Sequence, residues 1–150
     1  MKTKGQIVVL SSGAAQYRTA LYSEYCLSKH ALNRLAELVV VGTYPSSRKR
    51  IGESYLLTAM ILTENPSIRI FCVHPGCVET QLITDSQSAI PCEDPLALPA
   101  ATILYLTSGK ADYLSSRYVS ATWDLSEVER DWKEKIVAQN SLVNKLAIPH

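Results

Sequence analysis

Apolar residues gather into short runs and, between the runs, recur at helical spacing. Ile7-Val8-Val9-Leu10 is the first run, introduced by Gly5 and closed by Ser11-Ser12-Gly13. So short and so apolar a segment predicts a strand from Gln6 to Ser11, buried on both faces. Burial of that kind is the habit of parallel sheets in α/β proteins. The small and polar stretch from Gly13 to Tyr22 reads as a loop of functional length. A helix follows from Ser23 to about Leu38 or beyond, with Leu27, Ala31, Leu35 and Leu38 on one face.

Ser67 to Val73 repeats the strand pattern and stops at His74-Pro75-Gly76. Pro95 to Ser108 reads as a helix whose apolar face includes Leu98, Ala101, Ile103, Leu104 and Leu106, with Pro95 and Pro99 at its start. A third short strand is expected from Tyr118 to Ala121, then an amphipathic helix from Ser126 to Gln139. Ser126 and Glu129 stand in capping-box spacing. Strand, helix, strand, helix, strand is the order of an α/β fold with a parallel sheet. One stretch breaks it: thirty-eight residues separate Lys29 from Ile68, where a helix and a connection need roughly twenty to twenty-five. The excess, around 39–61, reads as an insertion, with an intron read through in frame as one origin and an extra helix from Ile51 to Leu62 as the alternative.

Composition narrows the function classes. The 150 residues, 47% of them apolar, suffice for one domain with a core. A net charge of +1 with scattered basic residues gives no case for nucleic acid or a membrane surface; Arg48-Lys49-Arg50 reads as a solvated loop. Cys26, Cys72, Cys77 and Cys92 show no zinc spacing and suggest no disulfide framework. No leader-like apolar stretch stands at the N-terminus, and no run approaches membrane-spanning length. A soluble, reduced, cytoplasmic protein is the expectation.

The candidate chemistry is Ser12, Tyr25 and Lys29, in the order Ser, twelve residues, Tyr, three residues, Lys. Tyr25 and Lys29 are four apart and share a helix face. A phenol is a poor proton shuttle at neutral pH, but a neighbouring ammonium favours the phenolate, and Lys29 is placed to supply that charge. Ser12, at a strand's carboxyl end, stands where ligands of open α/β sheets bind. A serine hydrolase is the competing class, but no GxSxG elbow surrounds Ser12.

Together with Val73-His74-Pro75-Gly76-Cys77-Val78-Glu79-Thr80, these motifs resemble the short-chain dehydrogenase/reductase family, over the carboxyl-terminal half or somewhat more of its fold. The resemblance implies a truncated, Rossmann-like, doubly wound parallel sheet of about three strands with flanking helices. It implies NAD(P)-dependent reduction of a carbonyl or oxidation of a secondary alcohol, with NADP slightly preferred to NAD. Ser12 would orient the carbonyl oxygen, Tyr25 would exchange the proton, and Lys29 would also hold the nicotinamide ribose. Pro75, Gly76, Val78 and Thr80 would contact the cofactor. The family's fourth catalytic member, an Asn on an earlier helix, has no counterpart here.

Arg117 to Asp124 and the charged helix beyond look like the ending of fungal members, often found in secondary-metabolite pathways. Packing in the core is the expected role of Trp123. None of the six glycines forms the GxxxGxG or GxGxxG turn that grips a pyrophosphate. The alternative expectation is therefore an inactive truncated fragment, pairing with a full-length relative through its long helix and an open strand edge. Family members form oligomers through two helices, of which the one carrying Tyr25 is present, so a homo-oligomer and such a pairing both stay open. The implied partner is a small carbonyl or alcohol substrate.

Overall fold

The structure, a computed structural model, describes residues 5–18, 20–41, 68–85 and 91–146. Its centre is a three-stranded parallel sheet in the order β1 (Gly5–Leu10), β2 (Ile68–His74), β3 (Tyr118–Ser120). Val8 lies opposite Phe71, and Val73 opposite Val119. Five helical segments accompany it: α1 (Ser23–Val41), α2 (Gln81–Asp85), α3 (Ala97–Thr107), and the two α segments of a last helix, α4 (Leu125–Glu127) and α5 (Lys133–Ala138), joined by a π-turn at Val128–Trp132.

Strand β2 is buried on both faces, and its alternation sorts the layers. Ile70 and Cys72 meet Ala36 of α1 on one face. Phe71 and Val73 meet Leu106 of α3, Leu114, Val119 and Ile136 of α5 on the other. Helices on both faces of a parallel sheet make the Rossmann-like, doubly wound α/β arrangement expected.

The expected two-sided burial of β1 does not hold: Ile7 is 43% and Leu10 52% exposed. β1 is the edge strand, with a neighbour on one side among the described residues. The apolar run gave the strand correctly, but its exposure depends on what lies beyond it. The expected insertion around 39–61 falls, apart from the last residues of α1, outside the described residues.

Other local expectations are corrected. Asp124, not Ser126, caps the last helix, its Oδ1 accepting from the amides of Ser126 (2.9 Å) and Glu127 (3.3 Å). Glu129 does not reach back; it accepts from Tyr105 Oη at 2.7 Å and from Lys133 Nζ at 3.3 Å. α3 begins at Ala97, and Pro99 is buried inside its first turn. The loop at Gly13 opens with a 3₁₀ turn, Gly13–Ala15. Cys77 and Cys92 are joined in a disulfide, against the expectation of none. Their fifteen-residue separation carries no sequence signal, and the turn after β2 brings them together.

α5 ends in a paired αL cap that sets the course of the tail. Asn140 has φ +47°, its amide reaches Val137 O, and the Ser141 amide reaches Ile136 O at 2.9 Å. Arg117 holds the returning chain through Ser141 O and through Asn140 Oδ1 at 3.0 Å. The tail then crosses to α1, where the Asn144 amide donates to Glu37 Oε1 at 2.7 Å.

Burial raises the hydroxyls of Tyr105 and Tyr118 from 10 to about 12. A group raised on folding stabilises below its unfolded value and loses that contribution as pH climbs through the folded one. Stability is therefore expected to fall between pH 10 and about 12. Urea midpoints at pH 9.5 and 11.5 check this, and a Tyr105→Phe, Tyr118→Phe variant should lose less across that interval.

Candidate active site

The candidate residues gather along the carboxyl edge of the sheet. Ser12 stands two residues past the end of β1 and caps the 3₁₀ turn, with extended backbone (φ −156°, ψ 155°) and its Oγ accepting from the Ala14 amide at 3.2 Å. That bond uses a lone pair and leaves the hydroxyl proton free to be donated. Gly13 is buried so closely under His74 that a β-carbon there would lie 3.5 Å from the imidazole Nε2 and 3.2 Å from Tyr17. The end of β1 and the end of β2 are thereby held side by side.

α1 packs against the same turn, with His30 Nδ1 3.0 Å from Ala15 O. One residue earlier, Lys29 Nζ donates to Leu10 O at 2.8 Å, two residues before Ser12. The same ammonium stands 5.5 Å from the Tyr25 ring centroid. Lys29 thus links the Tyr25 ring to the strand end that presents Ser12. Among the described residues no side-chain hydrogen bond joins Ser12, Tyr25 and Lys29 to one another; Lys29 meets the Tyr25 ring and the carbonyl of Leu10, two residues before Ser12.

Helical spacing continues this stripe to Asn33 and Glu37, each four residues further on. Both are buried, at 3% and 8% exposure. Asn33 Oδ1 accepts from the Ser11 hydroxyl at 2.6 Å, tying α1 to β1 a second time beside Ser12. The sequence reading missed this pair, although the polar i, i+4 run through a helix with an apolar face was its available signal.

The second group of predicted residues forms the turn after β2. Gly76 has φ +86°, a conformation that side chains resist. A β-carbon there would also sit 2.5 Å from Asp94 Oδ2. Asp94 clasps the turn: its Oδ2 accepts from the Cys77 amide at 2.6 Å, and its own amide donates to Cys77 O at 3.1 Å. Val78 is half-buried and Thr80 exposed. The Thr80 carbonyl accepts from the amides of Ile83 and Thr84 at the start of α2. Asp94 is a third residue the sequence reading missed. Gly76→Ala is expected to destabilise the fold by about 1–3 kcal/mol through strain and displacement of Asp94, measured as a lowered urea midpoint.

His74 sits between the two groups, stacked on Tyr118 with ring centroids 6.5 Å apart. Burial pushes its imidazole below the usual histidine range, against the opposing charge of Asp94, so a neutral ring at the sheet edge is favoured near pH 7. Trp123 packs edge-on to Tyr118 and against the larger core cluster, as expected. Among the described residues no group of His, Cys, Asp and Glu is arranged to hold a metal. No described helix is long and apolar enough to cross a membrane.

A hydroxyl at a strand's carboxyl end, a Tyr–Lys pair one helical turn apart and a left-handed Gly turn after the next strand are candidate groups at the carboxyl edge of a Rossmann-like α/β sheet. Known proteins then place it more closely. A short chain dehydrogenase of Monascus ruber, pigC, is 31% identical over 142 residues, covering 91% of this chain and 40% of that protein. A short chain dehydrogenase of Aspergillus terreus, pgmD, is 25% identical over 162 residues, covering 98% of this chain and 42% of its own length. Another, from Monascus purpureus, is 36% identical over 80 residues, 52% of this chain and 27% of the relative. No family model matches the chain. The chain belongs to the short-chain dehydrogenase/reductase family. It spans about two fifths of the length of the first two relatives.

Proposed function

We propose that the chain supplies the proton-transfer and nicotinamide-facing part of an NAD(P)-dependent oxidoreductase, which reduces a carbonyl or oxidises a secondary alcohol. The observation that carries this is the position of Lys29, bonded to Leu10 O beside Ser12 while standing against the Tyr25 ring. NAD(P)H, when bound, supplies the hydride. The described residues fit its nicotinamide end. Lys29 spends one ammonium proton on Leu10 O and keeps two for a ribose hydroxyl, and the left-handed Gly76 turn follows β2 at the same carboxyl edge of the sheet. Pro75, Val78 and Thr80 flank that turn and complete the proposed cofactor contacts.

In this reading Ser12 Oγ, its lone pair engaged by Ala14, donates its proton as a hydrogen bond to the substrate's carbonyl oxygen and fixes its position. Tyr25 Oη gives the proton that the developing alkoxide requires, and takes it back in the oxidation direction. Lys29 stabilises the phenolate left behind. Asn33, through Ser11, holds α1 against β1 so that these groups keep their spacing. NADP is the first cofactor to test, and a secondary-metabolite carbonyl in a fungal cytoplasm is the proposed setting, in keeping with the fungal relatives.

The open edge of β1, with Ile7 and Leu10 exposed, favours a second reading in which the chain acts by pairing with a full-length relative. Carbonyl-dependent oxidation of NADPH by the purified chain, alone and with such a relative, separates the two. Turnover by the chain alone supports the enzyme, and turnover that needs the relative supports pairing. Absence of turnover in both mixtures overturns the proposal.

A further inference from the structure

Beside the α1 stripe, lined by neither Tyr25 nor Lys29, lies a cavity of about 220 Å³. Asn33, Glu37, Tyr118, Trp123, Leu142 and Asn144 are among its lining residues. Its polar groups are unevenly used. Both Glu37 carboxylate oxygens are engaged, Oε1 by the Asn144 amide and Oε2 by Arg34. Asn33 Oδ1 accepts from Ser11, and Asn144 Oδ1 lies 3.5 Å from Gln16 Nε2. The side-chain nitrogens Asn33 Nδ2 and Asn144 Nδ2, however, are both buried without a hydrogen-bond partner among the described residues.

Buried amide nitrogens in folded proteins nearly always have a partner. Two unsatisfied ones lining the same cavity point to an acceptor beyond the described groups. We propose that this cavity is a second small-molecule site, distinct from the Ser12–Tyr25–Lys29 edge, that takes a compact uncharged carbonyl compound with an apolar body. The free groups are donors, which calls for an acceptor on the ligand. The Glu37 carboxylate in the same wall disfavours an anion, and its engaged oxygens leave little for a cation. Tyr118, Trp123 and Leu142 supply the apolar and aromatic surface that a carbon skeleton requires. In size the cavity exceeds the roughly 150 Å³ that holds a benzene. The site itself stands whether or not the proposed oxidoreductase activity does.

The test is titration of the ¹⁵N-labelled chain with acetophenone, toluene and benzoate, following the side-chain amide signals of Asn33 and Asn144 and the Trp123 indole signal. Acetophenone is expected to shift all three saturably, with NADPH leaving the titration unchanged. Toluene, which lacks the acceptor, should bind about tenfold more weakly, and benzoate should not compete. Asn144→Ala, on the tail rather than in the helix, should weaken acetophenone by a similar factor of about ten while the fold survives. Unmoved amide signals would mean that ordered water alone fills the cavity and would overturn the proposal. Equal binding of toluene, or equal binding of benzoate, would overturn it as well.

Discussion

Tyr25→Phe is expected to lower carbonyl-dependent NADPH oxidation by about a hundred- to ten-thousand-fold, the usual contribution of a positioned proton donor. The substitution removes a single oxygen atom. It keeps the ring that Lys29 stands against at 5.5 Å, and the Lys29 bond to Leu10 O does not depend on the phenol. The urea midpoint should therefore stay within about 0.5 kcal/mol of the parent protein, as for substitutions that break no packing. Loss of rate with stability retained would assign the proton to Tyr25. An unchanged rate would remove it from the mechanism and leave Ser12 and Lys29 without a donor to serve.

Phe71→Ala carries the largest expected cost in stability. Phe71 is wholly buried in the middle of β2 and belongs to the cluster with Leu106, Leu114 and Val119. Truncating such a ring typically costs about 3–5 kcal/mol, from lost transfer energy and the cavity left behind. Domains of this size hold only about 5–15 kcal/mol in total. The protein should lose most of its cooperative urea transition, read by circular dichroism, and its sheet-edge chemistry should go with it. Leu104→Ala makes the matched control: Leu104 is 71% exposed on α3, and its truncation should change stability by no more than about 0.5 kcal/mol.

How far these features could be read from the sequence varies with what determines them. β2 was legible to within a residue, Ser67–Val73 expected against Ile68–His74 found, because continuous apolar character is what two-sided burial requires. β1 was legible as a strand but not as an edge, since exposure at Ile7 and Leu10 depends on neighbours that a local pattern does not report. The helix carrying Tyr25 and Lys29 was legible as a helix starting at Ser23, but the leucines that gave its period, Leu27, Leu35 and Leu38, are exposed, and Asn33, Ala36 and Glu37 are the buried face. Cap chemistry was less so. Asp124 and Ser126 are both good caps by residue type, and the choice between them rests on backbone geometry after Trp123. α2 was missed because its five residues, Gln81–Asp85, are too few to show a period.

The candidate site divides in the same way. Ser12, Tyr25 and Lys29 lie close in sequence, on one strand end and one helix face, and it is their spacing together with the family resemblance that proposes them as a group. Asp94 acts across seventeen residues on Cys77, Ser11 across twenty-two on Asn33, and Asn144 across more than a hundred on Glu37. Such pairings arise only when the sheet has brought its loops together. The Cys77–Cys92 bond is of this kind too, a product of the turn that Gly76 and Asp94 shape.

The most direct test of the central claim is a fluorescence titration of the purified chain with NADPH, run beside Lys29→Ala. Saturable binding, weakened about tenfold or more when the ammonium is lost, is the predicted result. A soluble, folded chain that leaves NADPH fluorescence unchanged, or that binds it equally well without Lys29, would contradict the assignment of the nicotinamide end to this edge of the sheet.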